Sequence, residues 1–201
     1  MTLSRRPFVT SLLAATTFAL ALGLCQSAEA ATIIKQTNNP YPYDFELEPH
    51  LVLSYDNPGW WHDDGFGIGV RAGIPIVRNG PIKTINNSMA IGFGLDWVHW
   101  GDCGPYRDCN FDALYVPVVL QWNFWLTDVI SVFGEPGLTF RHTSWNDTYC
   151  NDPRDPWCND SSDLDLIPNI AVGGRFMFSN NIGAVVRMGY PYFSGGVTFL
   201  L

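Results

Sequence analysis

Nine charged side chains occur inside long stretches of alternating apolar and polar residues. Five are carboxylates and four are arginines, and no lysine is among them. A guanidinium group can bind a carboxylate through two parallel hydrogen bonds, which suits enclosed ion pairing better than a lysine does. We therefore predict one nearly balanced ion-pair network, formed by Glu46, Glu48, Arg71, Asp96, Glu135, Arg141, Asp165, Arg175 and Arg187.

The alternating stretches that carry these charges predict eight β-strands. The clearest is the region 114–141, where Leu114, Val116, Val118, Leu120, Trp122, Phe124 and Leu126 form an unbroken apolar set. Side chains alternate between the two faces of a strand, and a strand of about ten residues crosses a bilayer at a tilt. This region therefore predicts two transmembrane strands, 114–126 and 130–141, joined by a tight turn at Thr127 and Asp128. The other predicted strands are 45–55, 65–77, 88–100, 164–178, 182–190 and 192–201.

All nine charges fall on one face of their strands, together with His50, Gln121, Asn169 and several glycines. The opposite face is apolar, and a charge there would cost about 2–4 kcal/mol near the bilayer midplane. An apolar exterior needs lipid around it, so we predict an all-β fold, an eight-stranded antiparallel up-and-down transmembrane β-barrel. Eight strands leave a lumen just wide enough for side chains, which favours a filled lumen. A gated ion path or a small-ligand pocket is the alternative.

Aromatic residues near the strand ends predict a belt at each membrane interface. We expect the outer belt to hold Tyr55, Trp97, Trp100, Trp145 and Tyr190. We expect the periplasmic belt to hold Tyr43, Trp122, Phe124, Trp125, Phe176, Phe178 and Phe199.

The N-terminal segment has the pattern of a secretory signal peptide. Arg5 and Arg6 precede an apolar run, and Ala28-Glu29-Ala30 is a small-x-small cleavage signal. We predict a cleaved signal peptide at 1–30, a loose periplasmic leader at 31–43, and the barrel at 44–201. The formal net charge of −8 does not favour a nucleic-acid partner.

The four cysteines after the signal peptide form two local pairs. Export to an oxidising compartment favours disulfides, although four cysteines allow three pairings. We predict Cys103 with Cys109 and Cys150 with Cys158, because two strands separate the pairs. A metal site is the alternative, but no histidine lies close in sequence within either loop, and the nearby aspartates do not match a calcium-loop pattern. We predict no metal and no cofactor.

With its strands laid out, the chain resembles the small eight-stranded outer-membrane β-barrels, the OmpA- and OmpW-like group, over roughly residues 44–201. Phe193, Val197, Phe199 and Leu201 alternate to the end of the chain. This pattern is similar to the C-terminal signal that the barrel-assembly machinery reads in such proteins, although that signal usually ends in phenylalanine. The resemblance implies a bacterial outer-membrane location, contact with outer-membrane lipid, and assembly through Phe199 and Leu201. It also implies long outer loops and short periplasmic turns.

Members of this group include anchors, adhesins, small-solute channels and lipid-modifying enzymes, so fold does not choose a function. The stretch around His142 and Ser144 faintly resembles the His-x-Ser-Asn stretch of lipid A deacylases, but Trp145 separates Ser144 from Asn146, and no glutamate follows Glu135. We therefore expect no catalytic residues. We predict a non-enzymatic outer-membrane barrel with a structural or surface-interaction role, whose disulfide-bonded outer loops meet an unknown ligand. A narrow, porin-like small-solute channel is the alternative. A lipid A-modifying hydrolase is a further hypothesis, which the residues around Ser144 do not favour.

Overall fold

The computed structural model describes residues 32–37, 40–55, 64–100, 109–147 and 162–201, with backbone alone at 109–111 and 145–147. It contains eight strands: β1 (Glu46–Ser54), β2 (Gly65–Val77), β3 (Asn87–Trp100), β4 (Cys109–Trp125), β5 (Ile130–Asp147), β6 (Ser162–Met177), β7 (Ile182–Tyr190) and β8 (Tyr192–Leu200). Within these ranges, no helix is long and apolar enough to cross a membrane.

Each strand pairs antiparallel with the next one in sequence, and β8 pairs antiparallel with β1 to close the barrel. Closure leaves no free sheet edge. A β-structure in lipid needs such closure, because lipid tails cannot form hydrogen bonds with the unpaired backbone groups of an open edge. The predicted fold class is confirmed. We call the end of the barrel that holds the turns 78–86, 126–129 and 178–181 the turn end, and the opposite end the loop end.

The central hairpin is longer than its sequence pattern predicts. β4 begins at Cys109 rather than Leu114, and β5 continues to Asp147 rather than ending at Arg141. The pairing extends to Cys109 opposite Asp147. The extra residues include Asp112, Asn146 and Asp147, so the apolar alternation is lost there although the backbone ladder continues. Alternation of apolar and polar residues arises where only one face of a strand is in contact with water. Strand pairing that extends beyond such a region does not need an alternating sequence.

The two faces of the wall differ as the alternation predicts. Leu51, Ile68, Ile170, Val172 and Met188 are each at least half exposed on the outside. Polar and charged side chains such as Glu48, Arg175 and Asn169 are buried in the lumen. Gly69 illustrates the close approach that the crowded inner face requires, because a Cβ there would collide with the carboxylate of Asp96 and the ring of His50.

The leader is packed against the turn end, so the prediction of a loose segment is wrong. The backbone amide of Ile33 donates to Leu126 O at 3.1 Å, and the amide of Asn86 donates to Ile34 O at 2.6 Å. The Tyr41 ring stacks on Trp125, with ring centroids 4.0 Å apart, and its hydroxyl donates to Asn180 O. A short polar segment has no periodicity that would reveal such docking, because its contacts are made by individual residues.

Three of the predicted belt aromatics lie inside the barrel instead. Trp100, Trp125 and Tyr43 are almost completely buried. Trp100 and Trp125 point into the lumen from the two ends of the barrel, while Tyr43 enters from the leader. Trp97, Trp122, Phe124, Phe176 and Phe178 remain on the outer surface or partly exposed. The side chain of Trp145 lies outside the described residues.

Candidate functional site in the barrel lumen

Seven of the nine predicted network residues are buried together in the lumen: Glu46, Glu48, Arg71, Asp96, Glu135, Arg175 and Arg187. The remaining two, Arg141 and Asp165, form a separate pair nearer the loop end, with a nitrogen–oxygen distance of 2.8 Å. The Asp165 side chain is 39% exposed, so this pair is in contact with solvent rather than enclosed. The buried set therefore contains four carboxylates and three arginines, with His50 among them.

Glu135, on β5, is the centre of the buried set. Its Oε2 accepts from Arg71 Nη1 at 2.6 Å and from Arg187 Nε at 2.8 Å. Its Oε1 accepts from Gln121 Nε2 at 3.0 Å. Both oxygens of this carboxylate are therefore occupied, by groups from three different strands, β2, β4 and β7. One side chain links strands on opposite sides of the barrel.

A second group lies around Glu48, on β1. Arg187 donates to both of its oxygens, and the bond from Nη2 to Oε2 is 2.6 Å long. The His50 ring lies between Glu48 and Asp96, with Nε2 3.0 Å from Asp96 Oδ1. Asp96 also accepts from the hydroxyl of Tyr192, which itself accepts from Arg71 Nη2 at 3.0 Å. Charged groups from β1, β2, β3 and β7 are thereby connected.

The third group lies nearest the turn end, around Glu46 and Arg175. Arg175 Nη2 donates to Glu46 Oε1 at 2.5 Å, and Thr198 Oγ1 donates to the same oxygen at 2.8 Å. Arg175 Nη1 also donates to Ser131 Oγ at 3.1 Å. Glu46 Oε2 and Arg175 Nε are buried without a hydrogen-bond partner among the described residues, so these bonds offset only part of the desolvation penalty of the two charges.

Neutral side chains complete the network, and the sequence interpretation did not select them. Tyr192, Ser131, Asn123 and Thr198 bond directly to the charged groups, and Phe133 packs against two of the arginines. All five lie on the inner face of their strands. Their place on the inner face could be predicted from the alternating pattern. The pattern does not show which neutral inner residues contact the charged groups.

Hydrophobic layers lie above and below the charged network. At the loop end, Val52, Val98, Trp100, Ala113, Tyr115 and Tyr192 form one buried cluster. At the turn end, Ile33, Tyr43, Trp125, Met177 and Leu200 form another, with Tyr41 packed against it. The cavity left among the network residues has a volume of ≈ 10 Å³, about the space of one water molecule. The described lumen is filled by its own side chains.

The leader supplies a phenol to the turn-end layer. Burial raises the pKa of Tyr43 to about 12, and the neighbouring carboxylate of Glu46 adds to this increase. Burial also raises the pKa of Tyr41, to which Asp128 contributes. Both phenols are therefore held in the neutral form over the physiological range, as a hydrophobic layer requires.

The other residues that the sequence analysis singled out lie outside the lumen network or outside the described residues. His142 and Ser144 are exposed on the outer face of β5. Cys103, Cys150 and Cys158 lie outside the described residues, as does the side chain of Cys109, so the two disulfides remain predictions. Among the side chains that the structure describes, no group of three His, Cys, Asp or Glu could hold a metal ion.

Comparison with known proteins gives the fold. No family model matches the chain, and neither does any curated sequence. Neisserial surface protein A superposes with a TM-score of 0.50 at 13% identity, over 78% of this chain and 97% of that one. Ail of Yersinia pestis, solved with the heparin analogue sucrose octasulfate, gives a TM-score of 0.47 at 10% identity, over 78% and 96%. A de novo designed transmembrane β-barrel gives 0.44 at 11% identity, over 81% and 100%.

The first of these similarities concerns the fold alone, and the closed eight-strand circuit and apolar exterior of this chain agree with it. The chain therefore has the fold of the small eight-stranded outer-membrane β-barrels, the group that its sequence resembles.

Proposed function

We propose that this protein serves in the bacterial outer membrane as a non-enzymatic, closed barrel with a structural or surface-interaction role. The observation that carries this proposal is the filled lumen. The ion-pair network occupies its middle, and a hydrophobic layer lies at each end. A barrel built in this way is a rigid support for what it displays, and the space left among its network residues would hold about one water molecule.

The proposed orientation places the turn end in the periplasm and the loop end at the cell surface. In outer-membrane barrels the short turns are periplasmic and the longer loops are extracellular. The connections 55–64, 101–108 and 148–161 all leave the loop end, and their sequences contain Trp60, Trp61, Tyr106, Tyr149 and Trp157. Aromatic residues often act as anchors in binding interfaces, so these loops are the proposed interaction surface.

Bilayer conductance tests the filled lumen. The purified barrel, reconstituted in a planar bilayer, should give no steady, large openings. The variant Arg187→Ala, which removes the side chain that joins Glu48 and Glu135, serves as the comparison, because a plug that blocks conduction should leak when it is damaged. Steady openings in the unmodified protein would reverse the proposal in favour of a small-solute channel.

Binding at the cell surface tests the displayed loops. Cells that carry the protein should bind a host-surface preparation more strongly than cells that carry a version with residues 148–161 replaced by a short Gly-Ser linker. The shortened version must still give a heat-modifiable barrel in the outer-membrane fraction. Equal binding by the two strains would leave the structural role and exclude that loop as the interaction surface.

A further inference from the structure

The outer wall has a groove in which two neighbouring positions lack side chains. Gly134 on β5 is opposite Val172, and Gly174 on β6 is opposite Val132. A Cβ at Gly134 would meet nothing within 4 Å, and one at Gly174 would meet only Ser131 O at 3.8 Å. Both glycines therefore face open space on the lipid side. The groove has a volume of ≈ 630 Å³, and Phe124, Val186 and Met188 are among its other lining residues.

A polar cavity lies at the turn end of the same two strands. Its volume is ≈ 470 Å³, and its lining includes Tyr41, Asp128, Ser179, Asn180 and Asn181. None of the described residues that line it is basic. The Ser179 hydroxyl accepts from the amides of Asn181 and Ile182, so its own hydrogen points elsewhere. The cavity therefore combines one carboxylate and neutral hydrogen-bonding groups with four apolar lining residues, Pro42, Val129, Met177 and Phe178.

The groove and the cavity follow one line along the wall. Val132 on β5 lines the groove, and Val129 in the preceding turn lines the cavity. Likewise, Gly174 on β6 lines the groove, and Phe178 in the following turn lines the cavity. The pair Ile130 and Phe176 lies between them. A strand rises about 3.3 Å per residue, so the lining residues of the two sites are roughly 10–13 Å apart along the wall. The wall thus presents an apolar slot beside a pocket with polar groups at the turn end of the barrel.

We propose that this composite site binds one phospholipid with a primary ammonium headgroup, taken from the periplasmic leaflet. One acyl chain occupies the groove between Gly134 and Gly174, and the headgroup occupies the cavity. The carboxylate of Asp128 pairs with the ammonium group, and the Ser179 hydroxyl and the Asn180 amide donate to the phosphate. The absence of a described basic lining residue disfavours a headgroup that carries only negative charge. The proposal depends on the membrane orientation given under the proposed function.

The test uses the full barrel in phosphatidylglycerol vesicles that contain a trace of phosphatidylethanolamine with a photoactivatable acyl chain. After irradiation, labelled peptides are identified by mass spectrometry. We expect labelling to concentrate on the groove residues of β4–β7. Phosphatidylcholine with the same chain should label these residues about fivefold less, because its methylated ammonium donates no hydrogen bonds.

Filling the groove tests the acyl-chain part. The double variant Gly134→Leu, Gly174→Leu places side chains where the structure has open space, so the barrel should fold, and labelling of the groove should fall about fivefold or more. The matched control is Gly195→Leu, on the outer face of β8, where a Cβ would also meet only one backbone oxygen, at 3.9 Å. Labelling of the groove in the control should equal that of the unmodified barrel.

Neutralising Asp128 tests the headgroup part. Asp128→Asn should abolish the preference for ethanolamine over choline while the groove is still labelled. Asp64→Asn, at the loop end, makes the same charge change and should keep the preference. Uniform labelling of all lipid-facing strands would overturn the proposal. A stable dimer of the unmodified barrel that the variant Gly134→Leu, Gly174→Leu does not form would also overturn it, because a second copy would then be the occupant.

Each variant is checked for heat-modifiable migration before irradiation. A folded barrel without the expected labelling counts against the lipid site alone. An unmodified chain that never forms a heat-modifiable barrel in membranes would instead contradict the proposed function.

Discussion

Phe133 lies between two guanidinium groups, with its ring centroid 5.2 Å from Arg175 and 5.1 Å from Arg187. The face of an aromatic ring attracts cations, so one ring can stabilise two positive charges while keeping them apart. Each arginine then pairs with its own glutamate, Glu46 for Arg175 and Glu48 for Arg187. Arg187 also pairs with Glu135, so the charged residues form a network with shared partners rather than isolated ion pairs.

Removing the central carboxylate should be costly. Glu135→Ala leaves Arg71 and Arg187 without their common partner in a buried site, and breaking a buried ion pair in this way costs about 3–5 kcal/mol. Urea unfolding in detergent micelles, followed by heat-modifiable migration, measures the change. Asp165→Ala is the control, because its partly exposed pair with Arg141 should contribute only about 0–1 kcal/mol. Equal losses for the two variants would contradict the central role of Glu135.

Tyr43 predicts a pH dependence of stability. Its pKa is about 12 in the folded barrel against 10.0 for an ordinary tyrosine, so the folded state holds the proton more tightly. This contribution is fully present below pH 10 and is lost as the pH rises from 10 to 12. The unmodified barrel should therefore lose stability more steeply over that range than Tyr43→Phe does. The free energy of unfolding is measured at pH 9 and pH 11 for both proteins. An equal loss between these two pH values in the unmodified barrel and in Tyr43→Phe would exclude this linkage.

The leader is the element whose behaviour the sequence did not reveal. It contacts Leu126, Asn86 and Asn180, which belong to the three different turns of the turn end. The face on which each strand residue lies, by contrast, could be predicted, since a charge such as Glu135 or Arg187 can lie on only one face of a lipid-embedded wall. The alternating pattern did not predict the strand residues near Asp112 and Asp147, because neither face of the hairpin needs to be apolar there. It could not specify which glutamate meets which arginine either, because those pairs join distant strands.

Weakening the leader contact should release that segment alone. Tyr41→Ala removes the stack on Trp125 and the hydrogen bond to Asn180 O. Hydrogen exchange of the amides of Ile33 and Asn86 should then accelerate by at least about tenfold, while exchange in β4 and β5 stays unchanged. Tyr55→Ala is the matched control, because its hydroxyl bonds to the carbonyl of Gly189 at the opposite end of the barrel. Unchanged leader exchange in Tyr41→Ala would show that the backbone bonds hold the leader without the ring.

At the scale of the whole molecule, closure depends on the two ends of the barrel chain. Leu47 is opposite Phe199, and Glu46 is opposite Leu200, in the pairing of β1 with β8. The amides of Asp44 and Phe45 also donate to Leu201 O. The C-terminal residues are thus part of the closing seam, in addition to their proposed role in recognition by the assembly machinery. The two roles can be separated, because recognition needs side chains and the seam mainly needs backbone.

Phe199→Ala should therefore reduce assembly in cells without preventing refolding of the purified chain in detergent. The outer-facing ring is lost, but the backbone ladder with Leu47 and Ile182 is kept. The measurement compares the heat-modifiable fraction in outer membranes with the refolding yield in micelles. Val70→Ala, on the outer face of β2 and outside the C-terminal pattern, should leave both unchanged. If Phe199→Ala lowers both quantities equally, the side chain acts in folding and not in recognition.

The contacts of the leader with three separate turns also have a consequence for the order of events during biogenesis. Leu126, Asn86 and Asn180 come close together only after the hairpins that carry them have formed and the sheet has curled. Docking of the leader therefore follows the formation of these three turns. Slower cleavage by trypsin after Lys35, whose neighbours Ile33 and Ile34 are held by backbone hydrogen bonds, would report barrels in which the leader has docked. A stalled intermediate with one unpaired hairpin should remain cleavable at this position, so cleavage after Lys35 would measure how far barrel formation has proceeded.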